Sequence, residues 1–139
     1  MTDWGGKLKG DDKEELLEWA DLLVAGAMGE YERVLRGANR LRFRLPRYEV
    51  GLRVLQIQAS FALEQDDLYL KYVDAFQIFS SRNEFVGLLY YNAFREFARL
   101  ALRVGKYRFL GVGDREKLVQ DIEDAATSER IWLLEALQD

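Results

Sequence analysis

Seven arginines crowd the segment from Glu32 to Arg53 (Arg33, Arg36, Arg40, Arg42, Arg44, Arg47 and Arg53) against two glutamates, Glu32 and Glu49, a local charge of +5. Guanidinium forks match carboxylates and phosphates in geometry and charge, so this stretch can meet an acidic peptide, a phosphorylated segment or nucleic acid. The competing reading is that the arginines pair with acids of the same chain or lay their stems over apolar neighbours. Nucleic acid is disfavoured, because backbone binding demands a net basic footprint and the chain carries -4 overall. A second candidate is Lys106-Tyr107-Arg108-Phe109, which either presents an aromatic anchor to a partner or packs down on the last helices. Tyr90-Tyr91 and Phe94-Phe97 can line a peptide groove, although aromatics at helical spacing are ordinarily core.

Catalytic chemistry finds little support. The chain has no cysteine and no histidine, which removes thiolate nucleophiles, thiolate metal sites, disulfides and the commonest general base. The carboxylates Asp66-Asp67 and Asp121, Glu123 and Asp124 do not converge by spacing, since adjacent residues of a helix point apart. Gly111-Val112-Gly113-Asp114 has the glycines of a phosphate loop but neither the strand before it nor a lysine. No catalytic residue, metal ligand or cofactor is expected.

The elements that position these residues are helices. With 139 residues, 49% of them hydrophobic, the chain is long enough for one domain with a core. Residues 1–30 carry eight acids against three lysines, and residues 111–139 carry eight acids against three basic residues, so an acidic segment flanks the basic middle on each side. Residues 1–10 read as a flexible leader and 11–139 as a single helical domain. No signal-peptide pattern or long apolar run is present, so a soluble, cytoplasmic chain with no membrane contact is expected.

Acids from Asp11 to Glu15 suit the start of a first helix, with Leu16, Trp19, Ala20, Leu23 and Ala27 as its inward face. A second helix spans Glu30 to Leu41. Leu41 to Leu45 alternates apolar residues with arginine, as a short strand would, but Pro46 already biases its predecessor toward extended backbone, so a connector suffices. From Tyr48 to Leu63 the polar residues Glu49, Arg53, Gln56, Ser60 and Glu64 form one narrow stripe, and the rest must be covered on two sides. After Glu64-Gln65-Asp66, Asp67 caps the next helix, which runs to Ser80 and forms a hairpin with its predecessor. A long helix covers Glu84 to Val104, with Asn92, Arg95, Glu96, Arg99 and Arg103 as its polar stripe. Gly105 to Gly113 reads as a loop, Asp114 as the cap of a further helix, and Thr127 or Ser128 as the start of a terminal one.

Gly29-Glu30-Tyr31-Glu32-Arg33-Val34-Leu35, followed by Pro46, resembles the second half of a tetratricopeptide repeat, where glycine and tyrosine open the second helix and proline closes the repeat. Val34 and Ala38 depart from the family's small and aromatic core positions, and Trp19 stands one place from its tryptophan. Tyr48 to Arg103, continued through Trp132-Leu133-Leu134-Glu135, also resembles the C-terminal part of large, uncharacterised bacterial proteins with degenerate repeats of this kind. The resemblance implies an all-α array of about three antiparallel hairpins, stacked as a short α-solenoid with a C-terminal capping helix. It further implies a non-catalytic scaffold. The partner expected is an acidic or carboxylate-bearing protein, met by Arg36, Arg40, Arg42, Arg44 and Arg47, with Tyr107 and Phe109 as further contacts. A self-associating structural module at the end of a longer superhelix is the alternative.

Overall fold

The computed structural model describes residues 10–41, 46–82 and 87–138. All regular structure among them is helical: α1 (Gly10–Ala27), α2 (Tyr31–Ala38), α3 (Pro46–Ala62), α4 (Asp66–Arg82), α5 (Gly87–Leu110), α6 (Arg115–Asp124) and α7 (Arg130–Ala136). The expected leader, the connector at 42–45 and the residues 83–86 lie outside the described part. The chain divides into two compact units, residues 1–64 and 65–139, so the two helices expected as one hairpin, α3 and α4, belong to different units.

In the first unit α1, α2 and α3 each pack against the other two. Gly29 makes the turn between α1 and α2 at φ 79°, a left-handed value that glycine adopts without a Cβ penalty. Pro46 opens α3, the position where its fixed φ suits a helix and its missing N–H is not needed. Leu22, Ala38, Leu41 and Leu52 form the core, with Trp19 and Leu55 packed against it. The face of α1 differs from expectation. Leu22 and Ala25 are buried, whereas Ala20, Leu23 and Ala27 are exposed. From Leu22 to Met28 this helix has no charged residue, so apolar spacing by itself does not select a buried side. Ser60, expected on the polar stripe of α3, is fully buried. Its hydroxyl donates to the Ile57 carbonyl at 2.9 Å, which satisfies it within its own helix.

In the second unit α4 packs along α5, and α6 and α7 close on α5 and on each other. Phe76 and Phe97 meet at 5.8 Å between ring centroids, with Phe94 and Trp132 tilted against them at 6.5 and 6.2 Å, so Phe94 and Phe97 belong to core packing. The fully buried Tyr69 of α4 donates its hydroxyl to the Ala101 carbonyl at 2.6 Å.

The segment from Gly105 to Leu110, expected as a loop, is the last part of α5. A glycine in a helix ordinarily weakens it, but a Cβ at 105 would overlap Tyr69 Cε2 and lie 2.9 Å from its Cδ2. The glycine is there to let the tyrosine ring lie against the α5 backbone. Helix starts shift as well. Gln65 accepts from the Tyr69 N–H at 2.9 Å and so precedes α4, putting Asp66 and Asp67 inside its first turn. Thr127 and Ser128 stand ahead of α7; the Ser128 N–H reaches the Ala93 carbonyl at 3.3 Å, and Glu129 takes a left-handed φ of 57° before the helix begins. At the other end of α7, Arg115 Nε donates to the Leu137 carbonyl at 3.0 Å and Arg108 to that of Gln138 at 3.3 Å, filling acceptors that a helix end leaves open.

Gly105→Ala is expected to lower unfolding stability by about 1–3 kcal/mol through overpacking against Tyr69, read as a shifted urea midpoint with little change in slope. An unshifted midpoint would contradict the close approach.

Candidate interaction groove

Three arginines of the stretch, Arg33, Arg40 and Arg53, are answered by acids of the same unit. Arg33 pairs with Asp21 of α1 and, at 3.4 Å, with Glu30; Arg40 reaches Glu18 at 3.3 Å; Arg53 reaches Glu49 one turn earlier at 3.1 Å. The acidic first helix thus neutralises much of the basic second one. Arg36 is exposed on α2 and makes no ion pair among the described residues. Arg42 and Arg44 lie outside the described residues. Arg47 is the second residue of α3, and Tyr90 and Tyr91 are the fourth and fifth of α5, but their side chains are outside what is described.

In the second unit, Arg95, Arg99 and Arg103 recur every four residues along α5, which places them in one row. At the C-terminal end of the row Arg103 binds Asp121 of α6 at 2.8 Å, with Lys117 at 3.7 Å from the same carboxylate. One turn earlier Arg99 donates to Glu96. The row then opens onto a groove of about 430 Å³ between α4 and α5, whose walls are Gln77, Ser80 and Ser81 on one side and Asn92, Arg95 and Glu96 on the other. Ser80 donates to the Gln77 carbonyl at 3.2 Å and Ser81 to that of Ile78 at 3.0 Å, so both hydroxyls are turned to their own helix.

These walls are rich in N–H donors from guanidinium and amide groups, which suits carboxylates and peptide carbonyls. They are poorly arranged for acid–base work. The hydrogen bond from Arg99 holds the Glu96 carboxyl below its ordinary 4.5, so Glu96 is a weakened base. Asp121 is lowered in the same way, chiefly by its hydrogen bond with Arg103. Among the described residues no group of three or more acids could hold a metal ion.

Tyr107 and Phe109 sit in the last turn of α5 and not on a loop tip. Phe109 packs edge-on against Tyr69 at 5.5 Å between centroids, which commits part of its ring to the fold. The glycines beyond it take positive φ values of 68° and 113°, and the Val112 N–H reaches back to the Lys106 carbonyl at 3.0 Å, as at a helix C-terminus. Asp114 caps α6 by accepting from the Glu116 N–H at 3.0 Å, so the helix start after these glycines already holds a carboxylate.

No family model, curated protein or solved structure matches the chain. The chemistry of the groove must therefore stand for itself. Its α5 wall coincides with the polar stripe visible in the sequence. Its α4 wall escaped notice because Gln77, Ser80 and Ser81 are neutral and look like ordinary helix surface; the available signal was that two polar stripes fall on consecutive helices. No helix among the described residues is long and apolar enough to cross a membrane.

Acid titration tests the Arg99–Glu96 pair. A carboxyl whose folded pKa is depressed stabilises the fold above its unfolded pKa, near 4.5, and that contribution is lost as pH falls through the folded value. Glu96→Gln is thus expected to lower the urea midpoint at neutral pH only slightly, because the pair is solvent-screened, and to match the wild type once the pH is below both values. A difference that grows on acidification would exclude the pair as the cause.

Proposed function

We propose that this chain is a non-catalytic helical interaction module that receives an acidic or carboxylate-bearing protein segment, with the groove between α4 and α5 as the principal contact. The observation that carries this reading is the α5 row. Arg95 and Arg99, with the Asn92 and Gln77 amides, line the groove, so an incoming carboxylate there meets two guanidinium and two amide groups. A partner bound this way gains charge-assisted hydrogen bonds at short range. Arg36, exposed on α2, offers a second basic contact on the first unit.

The tetratricopeptide-like stacking is part of the same proposal. It is supported in the first unit by the mutual packing of α1, α2 and α3, by the glycine turn ahead of Tyr31, and by Pro46 at the start of the next helix. Repeats of this architecture expose helix faces as binding walls and rarely carry catalytic groups.

The test is fluorescence anisotropy with a labelled, amidated hexaglutamate peptide at low salt, beside a hexalysine control. Arg95→Ala and Arg99→Ala should each weaken hexaglutamate binding by roughly tenfold, equivalent to about 1.4 kcal/mol, while helicity stays unchanged. Reversal of Arg40, Arg42 and Arg44 to glutamate measures what the arginine stretch of the first unit adds. Equal affinity for both peptides, or insensitivity to both α5 substitutions, would sink the groove assignment.

A further inference from the structure

Helix α1 carries two apolar faces, and the fold uses one of them. Leu22 and Ala25 are buried, while Leu17, Val24 and Met28 are 65%, 57% and 70% exposed, with Ala20 and Ala27 exposed beside them. Leu17, Ala20, Val24 and Ala27 follow the three-four spacing of a coiled-coil seam, large residues at one position of the heptad and alanines at the other. Lone exposed apolar residues need no explanation, but a continuous row of them on one helix marks an interaction surface.

We propose that a second copy of this chain covers this face, with the two α1 helices antiparallel about a two-fold axis. Two features of the seam select that occupant. The first is volume. An antiparallel pairing sets Leu17 opposite the partner's Ala27 and Val24 opposite the partner's Ala20, so each large side chain meets a small one. A parallel pairing sets large on large and small on small, leaving gaps at both alanine levels. The second is charge. One flank of the seam holds Asp21 with its Arg33, an ion pair about half exposed on both members; the other holds Leu23, also exposed. In the antiparallel arrangement like flanks meet. The two leucines then cover each other on one side, and on the other the two Asp21–Arg33 pairs face across the axis with their signs able to alternate. The seam is complementary to itself, as a two-fold interface requires.

The interface spans about three turns of helix and so makes a weak, concentration-dependent dimer. Sedimentation equilibrium on the full chain is expected to give a mass rising from 16.2 kDa toward twice that value as concentration is raised. Val24→Glu should hold the chain at the single-chain mass with unchanged helicity, since this position is on the surface. The chain has no cysteine, so introduced thiols report the register directly. An equimolar mixture of Ala20→Cys and Val24→Cys chains should form mainly the mixed disulfide under mild oxidation, identified by mass. A constant single-chain mass, a Val24→Glu chain that still doubles, or Val24→Cys chains cross-linking chiefly with themselves would each overturn the proposal.

Discussion

Burial of the Tyr69 hydroxyl is the constraint on which the second unit depends. A fully buried tyrosine contributes a large apolar surface but carries a polar group that costs about 1–3 kcal/mol if left without a partner. The Ala101 carbonyl on α5 supplies that partner, and the ring then lies so close to α5 that a Cβ at 105 would overlap it. Gly105 follows from this demand. Beyond it, the last turn of α5 brings Phe109 edge-on to the same ring, 5.5 Å between centroids. Burial also pushes the Tyr69 phenol far above its ordinary value of 10, which keeps it a neutral donor wherever the fold exists.

The same reasoning separates what was legible in the sequence from what was not. Helix content, the Asp114 cap and the apolar rows of α3 and α5 are local properties, set by spacing and by capping chemistry, and they read directly from the residues. Gly105 was misread as a loop because its justification lies on another helix, at Tyr69. In α1 the failure was different in kind. The second half of α1, from Leu22 onward, carries no charge and offers no moment to orient it, so which of its residues are buried depends on how α2 and α3 pack against it. The groove was half legible, since the α5 stripe stands out by charge and the facing serines do not.

The charge pattern shows how one residue type serves two purposes. Arg33, Arg40 and Arg53 are engaged by acids one helix or one turn away, at distances set by the fold itself. Exposed pairs of this type add little to stability, typically below 1 kcal/mol. Their larger effect is to cancel part of the local field, at three of the seven arginines. Arg95 is distinguished from these residues by lining the groove together with the Asn92 and Gln77 amides.

In the interaction proposed for the groove, attraction would depend on geometry more than on net charge. A chain of -4 repels polyanions at long range, so a carboxylate reaching the groove must be held by short-range contacts, with directed N–H donors from Arg95, Asn92 and Gln77. Directed donors discriminate between ligands in a way that a diffuse positive field does not: they favour a planar carboxylate presented along the groove over an anion of any shape. An interaction of this kind would weaken with salt far less than one driven by the summed charge of the arginines.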